Sequence, residues 1–335
     1  MTVTTLRFNQ VVPGLERSEV AARYQATVEM ARYADTEGFD LISLEEHHGA
    51  DDGWSPSPLV TAGALFGATR RVQVMLCAVI TPLYDPLRLA EDLAVLDHLS
   101  GGRLTVVAGI GYRPQEYALL GRDWAARGAA QDEALATLLA AWTGEPFEYR
   151  GRTVRITPPP LTRPHPGLLV GGSSRAAARR AVRLGLPLFL AAHLPELAAY
   201  YQQLAAEAGL EGGFALLPPE RTRIVHCTED PDKAWAEYGR HFLHEASTYA
   251  AWQTAGVTSA VRSAARTPEE LRAEGIYSCL TPEECLAEAR AAGPMGALVL
   301  HPLCGGLPVE AGWASLRLFR EAVLPRLAAP GPDPA

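Results

Sequence analysis

Short apolar runs alternate with helical patterns along almost the whole of this 335-residue chain, and that rhythm constrains the fold more than any single motif. LRFNQVV (6–12) reads as a strand. Residues 18–37 carry helical periodicity that stops at Gly38, a plausible C-terminal cap. FDLISLEE (39–46) is the second strand, and PSPLVTAGALFGATR (56–70) is a helix with proline near its start. RVQVMLCAVIT (71–81) is too uniformly apolar to be half-solvated and reads as a buried parallel strand. A helix over 86–100, a strand over 103–111 and a helix over 128–143 follow. The alternation resumes at GLLVGG, LPLFLA, 221–230 and 296–303, and a helix over 309–327 closes the chain.

Eight strands, each followed by a helix, imply a parallel sheet. Eight such units in a chain of this length predict an α/β (β/α)8 TIM barrel rather than an open sheet. EPFEYRGRTVRIT (145–157), two alternating segments around a Gly-Arg turn, predicts a small surface hairpin. PPPLTRPHP (158–166) suits neither helix nor central strand. With no Gly/Ser-rich linker and no shift in composition, one domain is expected over 1–328, with 329–335 a tail disordered by composition. Residues 240–280 are far longer than an ordinary connection. A barrel sets such an insertion beside its mouth, so it reads as a lid, or as a helical excursion covering the flank.

The formal net charge of −8 argues against a nucleic-acid binder. No apolar run approaches the ~18 residues of a membrane span. The opening MTVTTLRFNQ lacks a basic and an apolar region, so a signal peptide is not expected and the cytoplasm is the expected location. The five cysteines are odd in number and lack CxxC spacing, which points to neither a disulfide framework nor zinc.

Chemistry-bearing residues gather at predicted strand ends, where barrels place their active sites. LEEHHGADDGW (44–54) brings two glutamates and two histidines to the end of the second strand. Histidine can manage a proton near neutral pH, although adjacent histidines can also merely cap a strand. Without HExxH or similar spacing, no metal is expected. In VAGIGYRPQEY (107–117), glycines such as Gly109 let backbone approach a ligand beside Tyr112. Pro114 and a polar run follow, so this is not a dinucleotide fingerprint. Glu116 could orient a histidine or satisfy a helix dipole. In LLVGGSSRAAARRA (168–181) two glycines leave a strand and serines open a helix, an arrangement suited to a phosphate. LCAVITPLYDP (76–86) sets small residues where a flat ring could lie, though a plain buried strand and turn explains it as well.

GFDLISLEEHH (38–48), DPLRLAEDLAVLDHLSGGRL (85–104), GIGYRPQEYALLG (109–121), AWTGEPFEYRG (141–151) and the GGSS helix start together resemble the bacterial luciferase-like flavin monooxygenases. The resemblance covers most of the chain and implies a barrel with a late insertion. It implies a catalytic acid/base at His47. It places Cys77-Ala78 at a non-prolyl cis peptide under the flavin ring, and Gly171, Gly172, Ser173 and Ser174 at the flavin phosphate. The arginine that grips the phosphate after the fourth strand in luciferases is replaced by Ile110, which leaves Arg113 or the GGSS start for that task. The implied activity is monooxygenation of a small organic substrate with reduced FMN and oxygen, the flavin coming from a separate reductase to a homodimer. The alternatives are a deazaflavin-coenzyme oxidoreductase working by hydride transfer, and a non-catalytic flavin binder. Trp54, Tyr84 and Trp252 are candidate substrate contacts.

Overall fold

The computed structural model describes residues 2–220, 223–253, 261, 263–293 and 296–328. The expected tail 329–335 lies outside the described residues. Ten strands form one sheet in which every pairing is parallel. They are β1 (Val3–Phe8), β2 (Leu41–Leu44), β3 (Gln73–Ile80) and β4 (Leu104–Gly109), then β7 (Gly167–Gly171), β8 (Leu188–Phe189), β9 (Ala215–Leu216), β10 (Ile224–Cys227), β11 (Tyr277–Leu280) and β12 (Ala297–Leu300). β5 (Phe147–Tyr149) and β6 (Arg152–Val154) make the expected antiparallel hairpin apart from the sheet. Arg150 and Gly151 turn it with positive φ at both positions.

β1 lies between β2 and β12, so the first and last strands are neighbours, as in a barrel. The helices are α1 (Arg17–Glu37), α2 (Pro58–Ala68), α3 (Pro86–Ser100), α4 (Pro114–Leu119), α5 (Arg127–Ala141), α6 (Arg175–Arg183), α7 (Pro195–Glu207), α8 (Pro231–Trp252), α9 (Pro268–Glu274), α10 (Pro282–Ala292), α11 (Val309–Ala322) and α12 (Leu324–Ala328). Their apolar faces and the sheet enclose one large core, and a second cluster joins α8 and α9 to β10 and β11. No described helix is long and apolar enough to cross a membrane.

Three differences from expectation have physical reasons. The first strand covers 3–8 rather than 6–12, because the chain leaves the sheet at Asn9 and Gln10 has φ 64°; Val11 and Val12 are buried in the mouth loop instead. Pro114, read as breaking the pattern, occupies the first turn of α4, where its missing N–H has no partner to lose. The closing helix divides at Val323, two residues before Pro325. The sheet also has two strands beyond the expected eight, β9 and β11. β11 pairs with β10, so residues 277–280 belong to the sheet, not to an insertion.

Candidate active site

β2 ends at Leu44, and the next four residues carry charged or titratable side chains into the barrel mouth. Each finds a different partner. Glu45 accepts hydrogen bonds from the Arg7 Nε of β1 and from Trp54 Nε1, the latter at 3.1 Å. Glu46 accepts from Ile80 N at 2.6 Å and from the Tyr84 hydroxyl at 2.5 Å, which ties β2 to the end of β3. His48 Nε2 lies 2.9 Å from the same Glu46 carboxylate.

His47 Nδ1 lies 2.8 Å from Glu116 Oε1. The same oxygen accepts from His48 N at 3.0 Å and from Arg113 Nη1 at 3.1 Å. Burial pushes the Glu116 carboxyl up, but the His47 hydrogen bond and charge, the His48 amide and the Arg113 charge outweigh it and hold it below the usual carboxylate range. An ionised Glu116 takes the Nδ1 proton of His47 as its hydrogen bond, leaving Nε2 for the mouth. Nε2 is 3.1 Å from the Tyr112 hydroxyl. Burial pushes the Tyr112 phenol up, although a hydrogen bond from Tyr249 opposes this. Tyr112 thus stands between Tyr249 and the Nε2 of His47.

The C-terminal half of α8 closes over this group. Trp252 packs 4.8 Å from the His47 ring and Trp54 5.6 Å from it, with Tyr249 5.2 Å from Trp54. The Arg113 guanidinium sits 3.9 Å from the Trp252 ring centre. One turn before Tyr249, Glu245 enters the mouth and accepts from Arg7 Nη1 at 3.0 Å, Asn9 Nδ2 at 2.8 Å and the Tyr277 hydroxyl at 3.0 Å.

Beside the histidines, the Cys77–Ala78 peptide is cis. Burial, and then the charge of Glu45, push the Cys77 thiol up to about 12, so it stays protonated. Gly109 faces this bend across the β3–β4 pair, and a Cβ there would come within 2.8 Å of the Ala78 methyl. β7 ends at Gly171, where a Cβ would meet Val107 Cγ1 at 2.8 Å and Ala108 O at 3.3 Å. At Gly172 a Cβ would meet the Ala177 methyl at 2.6 Å. Only glycine permits this close approach of strand end to helix start. Ser174 caps α6, accepting from Ala177 N at 3.2 Å. A cavity of about 390 Å³ opens there, its polar lining formed by Ser173, Arg175, His193 and Glu196 and the rest by Leu194, Pro195 and Leu197.

The structure thus brings together His47, Glu116, Tyr112, Trp54 and Trp252. It sets Cys77, Ala78 and Gly109 on the adjoining strand ends, and Gly171, Gly172, Ser173 and Ser174 at the start of α6. It assigns Arg113 to Glu116, the His48 carbonyl and Trp252, which removes that residue as a replacement for the phosphate-gripping arginine. Ile110 contributes only its carbonyl, which accepts from the Tyr117 hydroxyl at 2.5 Å. The cation beside the GGSS turn is Arg175, its guanidinium 4.9 Å from the Tyr200 ring centre. Arg175 is adjacent to the motif and legible as part of it. His193, Glu245 and Tyr249 lie in stretches with no local signal and were missed.

The luciferase-like monooxygenase family matches residues 1–294, so the chain belongs to that family. It is 28% identical over 218 residues to the FMNH(2)-dependent dimethylsulfone monooxygenase of Pseudomonas putida, a match covering 61% of this chain and 59% of that protein. The chain spans about half the length of the curated relatives it matches, from 49% to 59% in three of them. The fold is shared with the monooxygenase RslO1 from Streptomyces bottropensis, at a TM-score of 0.76 and 24% identity over 98% of this chain and 100% of that one. It is also shared with an F420-dependent secondary alcohol dehydrogenase, at 0.65 and 18% identity over 98% of this chain and 100% of that one.

Proposed function

We propose that the chain is the oxygenase of a two-component monooxygenase, acting on a small organic substrate with reduced FMN and oxygen. The observation that carries this reading is His47, fixed at Nδ1 by Glu116 and directing Nε2 into an aromatic mouth. Bound reduced FMN would supply the electrons that activate oxygen. The residues present suit that cofactor. The Gly171–Gly172 cradle, the α6 amides, Ser173, Arg175 and His193 offer a phosphate site. The small residues Ala78 and Gly109 leave the β3 and β4 ends flat for a ring.

His47 holds or releases a proton at Nε2, and Glu116 stabilises whichever state carries the charge. Tyr112 and Tyr249 extend that hydrogen-bond line toward α8, and Trp54 and Trp252 exclude water from it. Tyr84 is committed to Glu46, so its role is to position the β2 end. A separate reductase suits a chain whose sequence lacks a dinucleotide fingerprint, and the named relative depends on FMNH(2).

The test is binding followed by turnover. The purified chain is titrated anaerobically with reduced FMN and with the reduced deazaflavin coenzyme, then exposed to oxygen and a panel of organic substrates. Preference for FMN with product oxygen derived from O₂ supports the proposal. Preference for the deazaflavin with oxygen-independent hydride transfer replaces it. Binding without turnover across the panel points to a flavin carrier.

A further inference from the structure

Glu245 of α8 meets two residues that follow β12 in a way its other contacts do not explain. Glu245 Oε2 lies 3.0 Å from His301 Nε2 and accepts from Cys304 Sγ at 3.2 Å. The three prospective ligand atoms all lie within 4.8 Å of one another, and all three residues are buried. Neither ring nitrogen of His301 makes a hydrogen bond among the described residues, even though Nε2 stands at contact distance from the carboxylate. A buried imidazole whose Nδ1 makes no hydrogen bond among the described residues, and whose Nε2 stands against a carboxylate oxygen, can take a cation at that contact.

The charges point the same way. Arg7 lies between Glu45 and Glu245 in a buried pocket, and His301 stands against the second of these carboxylates. A divalent cation that displaces the Cys304 proton would leave the pocket neutral. A carboxylate, an imidazole and a thiol form a donor set suited to zinc, whose three protein ligands leave a fourth position open. Zinc bond lengths set ligand atoms about 3.3–3.8 Å apart in a tetrahedron, so the Glu245 oxygen would need to part from His301 Nε2 and from Cys304 Sγ by only a few tenths of an ångström. The supporting contacts are in place, because Asn9 and Tyr277 hydrogen-bond the Glu245 carboxylate and orient it.

We propose that Glu245, His301 and Cys304 bind one zinc-type divalent cation that fastens α8 to the end of β12. Binding forms one bond each to oxygen, nitrogen and sulfur, breaks the S–H bond and releases its proton to solvent, with no change of oxidation state. Spacing rules miss the site because Glu245 and Cys304 are 59 residues apart in the chain.

The test uses full-length, flavin-free protein stripped with a chelator, gel-filtered and titrated with Co²⁺, then with Zn²⁺. The expected result is one Co²⁺ per chain with a sulfur-to-cobalt charge-transfer band, displaced by one equivalent of Zn²⁺ with release of one proton. His301→Gln should weaken the metal at least tenfold. Cys304→Ser should abolish the band, and Cys279→Ser should keep it. If Cys304→Ser does not fold, alkylation mapping of the wild type decides: zinc must protect Cys304 while leaving Cys279 as reactive as before. No stoichiometric uptake, a cobalt spectrum without sulfur, a band that survives Cys304→Ser, or unprotected Cys304 overturns the site.

Discussion

His47 and Glu116 meet across the barrel mouth from two different strand ends, Nδ1 to Oε1 at 2.8 Å, and the carboxylate comes from the first turn of α4 after β4. The pair is buried, so the carboxylate has little water to compete for its hydrogen bonds. His47→Ala should cut turnover by ~10²–10⁴-fold, the usual share of acid–base catalysis, while FMN affinity stays near wild type. Glu116→Gln should cost ~10–100-fold, because the amide can still hold the ring but no longer stabilises its cation. His48→Ala should cost less than either, since that ring turns to Glu46. Turnover with chemically reduced FMN checks all three. Near-wild-type turnover in His47→Ala would make the pair structural.

The GGSS turn yields a prediction that separates phosphate from ring. Arg175→Ala should weaken FMN binding more than tenfold, ~1.4 kcal/mol or more, and leave riboflavin binding unchanged, because riboflavin lacks the phosphate. Gly171→Ala should weaken both ligands or unfold the chain, since its methyl would press on Val107 and the Ala108 carbonyl. Equal losses for FMN and riboflavin in Arg175→Ala would move the phosphate elsewhere.

The elements most legible in the sequence were those whose signal is local. The helix over 86–100 matched residue for residue, because Asp85 caps it, Pro86 starts it and Gly101 ends it at φ 66°. The strand ends carrying His47 and Gly171 were legible because apolar runs give way there to polar or small residues, whereas Cys77 lies inside the apolar run of β3 and was marked only by the family resemblance. Proximity across the fold was not legible. Glu245 reaches Arg7 and Asn9 only because α8 runs back over the mouth, and no spacing in the chain records that. The pairing of β11 beside β10 was hidden in the same way, since YSCL is too short to stand out from the stretch around it.

The Glu116 carboxylate also predicts how stability responds to acid. Its folded-state pKa is depressed, so the stabilisation it provides is present above the ordinary glutamate value of about 4.3 and is lost as pH falls through the lower folded value. Urea midpoints of wild type and Glu116→Gln should therefore differ most near neutrality and converge as pH drops below roughly 4. A gap that stays constant into acid would show that the variant acts through packing rather than charge.

The last prediction concerns the stretch 240–280, whose length suggested one moving lid. Its ends are anchored. Glu245 holds α8 to β1, to β11 and to the turn after β12, and His241 Nδ1 lies 3.2 Å from the Gly305 carbonyl. Tyr277–Leu280 pairs with β10 along its whole length. Between them α9 has seven residues, six of them partly or fully exposed, and is held mainly by Leu271. Local opening follows the contacts that must break. Amides at 242–249 and 277–280 should therefore exchange as slowly as those of β1 and β4, and those of 268–276 markedly faster. Binding of FMN and substrate should slow exchange at Tyr249 and Trp252, which stand against His47. Hydrogen exchange read by mass spectrometry on overlapping peptides resolves these segments. If 242–249 and 277–280 exchange fast and together with α9 in the ligand-free protein, the whole stretch opens as one unit, and the anchoring assigned to Glu245 is wrong.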